Sequence, residues 1–157
     1  MKKTVYVETS VFSLFYDERP ESRYRREITR NWWRKESRAY SLYTSYFCLE
    51  EVSNPVYPGW RRVSALARKL SLLEITDDIA GIIRAYIPNR LMPADDAGDA
   101  AHLAIASFHE VDYLLTWNCR HLANANKFDH IRTVNRRLGI MTPELVTPEQ
   151  LFREDRP

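Results

Sequence analysis

Hydrophobic and polar positions follow two rhythms along the chain. Thr4-Val5-Tyr6-Val7 is β-branched and aromatic and stops at Glu8-Thr9-Ser10, which predicts a buried strand with a polar exit. From about Ser22 to Tyr40 there is no proline or glycine, and Ile28 and Trp32 fall four apart, which predicts a helix. Leu42 to Phe47 reads as a second strand and passes into Leu49-Glu50-Glu51-Val52, with Pro55 and Pro58 as punctuation. Helical spacing returns from Trp60 to Leu73 through Val63, Leu66, Ala67 and Leu70, and Leu73 to Thr76 is a short strand. Asp77 is expected to cap a helix carrying Ile79, Ile82, Ile83 and Tyr86 that ends before Pro88.

The second half repeats the alternation. Asp95 to His109 is alanine-rich and helical, and Val111 to Trp117 is a strand. A polar loop, Asn118 to Asn126, leads to a helix around Phe128 to Leu138 capped by Gly139, and Leu145-Val146 offers a final strand. Strands alternating with helices, without repeats, predict one α/β domain over 1–157: three layers around a mostly parallel sheet. In such sheets ligands bind at the carboxyl ends of the strands, near the topological switch point.

The strand exits carry acids. Glu8 ends the first strand, Glu50 and Glu51 follow the second, Asp95, Asp96 and Asp99 open the alanine-rich helix, and Asn118 follows the Val111–Trp117 strand. In a parallel sheet these oxygens converge on one edge, and the physical reason to gather them is a hard divalent cation, Mg2+ or Mn2+. Asp95 and Asp96 read more simply as acids complementing a helix N-terminus. Asp99, one turn inside a closely packed helix, and Glu8, at the end of an apolar strand, both demand partners. The chain has four glycines and neither a dinucleotide-binding nor a P-loop fingerprint, which leaves a glycine-cradled phosphate site unsupported.

Val7-Glu8-Thr9-Ser10-Val11, Leu49-Glu50-Glu51-Val52, Gly98-Asp99-Ala100-Ala101-His102-Leu103-Ala104 and Leu115-Thr116-Trp117-Asn118-Cys119-Arg120-His121-Leu122 resemble the successive motifs of PIN-domain proteins, and most closely the VapC-like toxin ribonucleases. The resemblance runs from Tyr6 to Thr147-Pro148-Glu149. It implies an acidic Mg2+ or Mn2+ centre that hydrolyses RNA phosphodiesters, in the toxin of a toxin–antitoxin pair. Glu8, Glu51 (with Glu50 as rival) and Asp99 then match the metal-binding acids. Asn118 stands where many such domains place a fourth acid, and Thr9, Ser10 and Thr116 fall where hydroxyls orient the carboxylates. A glutamate at position 8 moves its oxygens outward by a methylene, and Asn118 brings an amide oxygen but no charge. One firmly held metal is the expectation. The alternative kept open by Asn118 is a PIN domain with weakened catalysis that binds RNA or a protein.

Charge and the remaining residues add detail. The formal net charge is +2, but residues 19 to 40 hold eight basic side chains against Glu21, Glu27 and Glu36, a net of +5 set against −3 elsewhere. Arg23, Arg26, Arg30, Arg34 and Arg38 recur at three- and four-residue steps and form one stripe, the first four a candidate contact for RNA phosphates, with Tyr24 and Trp33 able to stack on bases. The same helix could seat an acidic antitoxin segment or a second copy of the chain, and a homodimer is expected. Cys48 and Cys119 make no disulfide framework, Cys119 is expected to be semi-buried, and no apolar run reaches the ~18 residues of a spanning helix. The cytoplasm is the expected compartment. The four histidines lack a zinc spacing, and His102 is expected to pack or hydrogen-bond rather than to ligate.

Overall fold

A computed structural model describes residues 1–92 and 97–153 of the chain. Among the described residues, five strands, β1 (Lys3–Val7), β2 (Tyr40–Ser45), β3 (Ser71–Leu73), β4 (Tyr113–Leu115) and β5 (Glu144–Val146), stand in the order β3-β2-β1-β4-β5, and every neighbouring pair is parallel. Among the described residues, seven α-helices flank them: α1 (Thr9–Tyr16), α2 (Arg23–Lys35), α3 (Tyr46–Val52), α4 (Trp60–Ala67), α5 (Asp77–Tyr86), α6 (Ala97–Phe108) and α7 (Phe128–Arg137).

Strand alternation sorts the side chains into two cores. Val5, Val7 and Leu115 point to one face and pack under α1 to α4, through Val11, Phe12, Trp32, Cys48, Val63 and Leu66. Tyr6, Leu114 and Leu145 point to the other and pack under α5 to α7, through Ile79, Tyr86, Leu103, Ile105 and Ile131. The result is the three-layer α/β architecture expected from the alternation of elements. The crossover helices from β1 lie on one face and those leading into β4 on the other, so the strand order reverses between β1 and β4. That is the switch point where a crevice opens at the carboxyl edge. Among the described residues, no helix is long and apolar enough to cross a membrane.

Several boundaries differ from the sequence reading for local reasons. The strand through Phe47 stops at Ser45, because the Ser45 hydroxyl accepts the Cys48 N–H at 3.1 Å and starts α3, placing Glu50 and Glu51 on a helix. The helix expected from Ser22 to Tyr40 is regular only over Arg23–Lys35, with 3-10 turns at Pro20–Ser22 and Ser37–Ala39. The stretch expected to be helical from Trp60 to Leu73 ends at Ala67, and the short strand expected at Leu73 to Thr76 is shifted to Ser71–Leu73, in register with the end of β2. Thr76, not Asp77, occupies the N-cap position of α5, and Asp77 and Asp78 sit in its first turn. Gly139 has φ +74° just beyond α7, the left-handed conformation that terminates a helix. Asp95 and Asp96 lie outside the described residues.

Candidate active site

Glu8 is the first residue past β1, and its N–H continues the ladder to Leu115 O at 3.0 Å. Its side chain folds back to cap α1, accepting the Ser10 N–H at 3.1 Å. The extra methylene is thus taken up by the turn. The same oxygen, Oε2, also accepts the Thr116 hydroxyl at 2.7 Å and the Ser10 hydroxyl. Neither hydroxyl is loose: Ser10 Oγ accepts the Trp117 N–H at 2.8 Å and Thr116 Oγ1 accepts the Asn118 N–H at 2.9 Å. With an amide donating to each oxygen, each hydroxyl proton is left for Glu8. Glu8 is 6% exposed, and among the described residues no hydrogen bond reaches Oε1.

Glu51 is arranged in the same way from another element. Its Oε1 accepts the Thr9 hydroxyl at 2.6 Å and lies 2.6 Å from His102 Nε2, whereas Oε2 receives no hydrogen bond among the described residues. Glu50 is exposed, so the structure separates the two neighbours: Glu51 turns inward and Glu50 does not. Burial alone would raise the Glu51 carboxyl, but the hydrogen bond from His102, its charge and the Thr9 hydroxyl bring it below the ordinary 4.5. For His102, burial opposes charge, and the Glu51 hydrogen bond together with the carboxylates of Glu8, Glu51 and Asp99 lifts it above the ordinary 6.5. Three acids delivered by β1, α3 and α6 therefore act on one buried imidazole. Burial pushes the neighbouring Cys48 thiol up to about 12, which makes it a poor nucleophile.

This pairing has a signed consequence for the metal-free protein. His102, raised, contributes stability that is fully present below pH 6.5 and lost as pH rises through its folded value. Glu51, lowered, contributes stability that is fully present above pH 4.5 and lost as pH falls through its folded value. The gap in thermal stability between wild type and Glu51→Gln in chelator is thus expected to be widest between about pH 4.5 and 6.5. A gap that stays constant on raising pH well past that window contradicts the pairing.

Gly98, in the first turn of α6, makes room for the unpaired Glu51 oxygen. A Cβ at this position would stand 3.1 Å from Glu51 Oε2. Gly98→Ala is expected to stabilise the helix by up to about 1 kcal/mol while turning Glu51 about its pinned Oε1. Melting temperature and cation affinity, measured together, should move in opposite directions, and unchanged affinity would show that Glu51 is not confined.

The other sequence candidates are placed differently. Asn118 Oδ1 accepts the N–H groups of Arg120 and His121 at 3.1 and 3.0 Å, so both lone pairs close a turn and none is left for a cation. Arg26 donates to Asp17 O at 2.6 Å, and Arg30 donates to Phe15 O at 2.7 Å and pairs with Glu18 at 3.2 Å. Those two arginines of the stripe hold the connection between α1 and α2. Arg23 pairs with Glu27 on the surface, and Arg34, in the last turn of α2 that leads into the start of β2, donates to Asn31 Oδ1 at 3.0 Å. Trp33 lies in an aromatic cluster with Phe12, Phe15 and Trp32, whereas Tyr24 is exposed and donates to Glu149. Cys119, expected to be semi-buried, is exposed.

One contact was not read from sequence: Arg25 lies with its guanidinium carbon 5.2 Å from the centre of the Trp117 ring, although it falls off the stripe. His102, expected to pack or hydrogen-bond, is 1% exposed and joins Tyr6 to Glu51.

The donor set is all oxygen and anionic, which suits Mg2+ or Mn2+ and fits no softer metal. Glu8 and Glu51 each keep one carboxylate oxygen clear of hydrogen bonds from described residues. Among the described residues, no group of three or more histidine, cysteine, aspartate or glutamate side chains is arranged closely enough to hold a metal ion on its own.

No family model matches the chain, and no curated protein matches it in sequence. Its fold is similar to the crystal structure of Mycobacterium tuberculosis VapC20, a Sarcin-Ricin loop cleaving toxin, with a TM-score of 0.58 and 13% identity over 74% of this chain and 92% of that one.

Proposed function

From this α/β PIN-like fold we propose that the chain is a metal-dependent endoribonuclease, the toxin of a toxin–antitoxin pair. The observation that carries the reading is the delivery of Glu8, Glu51 and Asp99 by three separate elements to the carboxyl edge around His102. The likeness to an RNA-cleaving toxin supports the substrate class. Glu8, Glu51 and Asp99 would hold Mg2+ or Mn2+, which supplies charge neutralisation on the phosphate and a lowered pKa for water. The protein's own part is to order the acids. Ser10 and Thr116 fix Glu8, and Thr9 and His102 fix Glu51. Incubating labelled RNA with the protein and Mn2+ should give cleavage that chelator abolishes and Asp99→Asn lacks. Cleavage in chelator, or equal cleavage by the variant, contradicts the reading.

RNA phosphates are assigned to Arg25, stacked on Trp117, whose N–H donates to the Ser10 hydroxyl that holds Glu8, and to exposed Arg23. Arg25→Ala is expected to weaken RNA binding and to flatten the salt dependence by about 0.7 in log–log slope, the share of one phosphate contact on a single strand. Arg34→Ala should leave both unchanged. Equal effects from the two would place the strand along the whole helix instead.

The second reading, a PIN-like domain that binds RNA without cutting it, is favoured by one observation: the Asn118 amide oxygen is fully engaged in its own turn. It predicts unchanged RNA binding by Asp99→Asn and no cleavage by wild type. An antitoxin and a second copy of the chain are the proposed protein partners.

A further inference from the structure

A continuous buried hydrogen-bond chain begins and ends on α3. Ser45 Oγ accepts the Cys48 N–H at 3.1 Å and lies 2.8 Å from Tyr6 Oη. Tyr6 Oη lies 2.6 Å from His102 Nδ1, and His102 Nε2 lies 2.6 Å from Glu51 Oε1. The path crosses from α3 to β1, to α6, and back to the last turn of α3. Ser45 and Tyr6 are fully buried and His102 is 1% exposed, and the edge-to-face ring of Phe47 stands 5.2 Å from the imidazole.

A chain of this kind is costly to bury unless every member is satisfied, and an apolar side chain would fill the same space without that cost. Here every member has a hydrogen-bond partner along the chain. Glu51 is held through Oε1 alone, from two sides, by Thr9 and His102. With Oε1 pinned, Oε2 is left on the side where Gly98 has no Cβ. Neither the capping of α3 by Ser45 nor the packing of α6 requires an imidazole at position 102.

We propose that His102 is a positioning residue, anchored through Tyr6 and Ser45, that fixes Glu51 so that Oε2 is presented to the cation. This rests on the reading of Glu51 as a cation ligand. Groups that orient a metal's ligands typically govern a 10- to 100-fold span in affinity, so the role is measurable without any RNA.

The test is isothermal titration of full-length protein with Mn2+ alone, with the melting temperature recorded in parallel. His102→Leu removes both hydrogen bonds at similar volume and is expected to weaken Mn2+ binding by about 10- to 100-fold. His102→Gln keeps one donor and one acceptor and should recover most of that loss, which a packing role would not require. Glu51→Gln should also weaken binding, and the double variant Glu51→Gln/His102→Leu should bind no worse than Glu51→Gln alone, because His102 acts only through Glu51. Tyr6→Phe cuts the chain one link back and serves the same purpose if His102→Leu does not fold, with a smaller loss expected. Weakening by Glu51→Gln together with wild-type affinity in His102→Leu and Tyr6→Phe overturns the proposal alone, as does full additivity in the double variant. No Mn2+ binding by wild type, or no effect of Glu51→Gln, overturns the nuclease reading and the proposal with it.

Discussion

Glu8→Gln is expected to lower metal-dependent RNA cleavage by about 10³-fold or more while leaving the fold intact. Glutamine has the shape of glutamate, and its amide oxygen can still accept the Ser10 N–H and the Ser10 and Thr116 hydroxyls. The N-cap of α1 and the hydroxyl cradle are therefore kept. What changes is the other atom: an uncharged NH2 replaces the oxygen left for the cation. Charge stabilisation by a bound cation is worth several kcal/mol, and each 1.36 kcal/mol is tenfold in rate. A loss of ~4 kcal/mol of that stabilisation gives about 10³. Glu8→Ala makes the contrast, because it also removes the cap, worth about 1 to 2 kcal/mol. Single-turnover cleavage and a thermal melt on the same samples separate the two effects. Wild-type cleavage by Glu8→Gln would remove Glu8 from the site. A collapse of the melt would make Glu8 a structural cap first.

Trp32→Ala should cost about 3 to 5 kcal/mol of stability, the largest loss expected from any single truncation described. The ring is fully buried, stacks on Tyr40 at 6.0 Å and meets Trp33 edge-on. Its Nε1–H donates to Leu151 O at 2.8 Å, which ties the segment after β5 onto α2. Truncation opens a cavity and leaves that carbonyl without its donor. Trp32→Phe retains most of the ring and loses the hydrogen bond, so about 1 to 3 kcal/mol is expected. Urea unfolding measures both. Equal losses would mean that the hydrogen bond carries the effect and the packing almost none.

Legibility in the sequence followed the range of the interactions. The β1 exit at Glu8, the parallel sheet and the helices with clear apolar spacing depend on local pattern and were read directly. Helix α1 was not read, because Val11, Phe12, Leu14 and Phe15 form a nearly unbroken apolar run without polar rhythm. Strand β2 was read two residues late, over Leu42–Phe47 instead of Tyr40–Ser45, because Tyr46 and Phe47 suit a strand and only the Ser45 cap overrules them. The charge count over residues 19 to 40 excluded Asp17 and Glu18. Both fold back against the arginines: Asp17 pairs with Arg19 at 2.6 Å and Glu18 with Arg30 at 3.2 Å. The Arg19 guanidinium holds the Asp17 carboxyl well below the usual carboxylate range.

The candidate site divides along the same line. The acids and hydroxyls lie within short motifs at strand exits, and the structure brings Thr9 to Glu51 and Ser10 and Thr116 to Glu8. The separation of Glu51 from Glu50 needs the helical phase of α3, which depends on where β2 ends. The engagement of Asn118 is local, an Asx turn to the N–H groups of Arg120 and His121, whereas the stacking of Arg25 on Trp117 and the path from Ser45 to Glu51 through His102 arise from tertiary contacts with no pattern in the chain.

An anomalous difference map from a crystal soaked in Mn2+ tests the cation site shared by Glu8, Glu51 and Asp99 directly. A single strong peak bridging carboxylate oxygens of Glu8, Glu51 and Asp99 is the predicted result, and it should vanish in Asp99→Asn. Clear density for three ordered acids with no peak among them, together with RNA cleavage that persists in chelator, would contradict it.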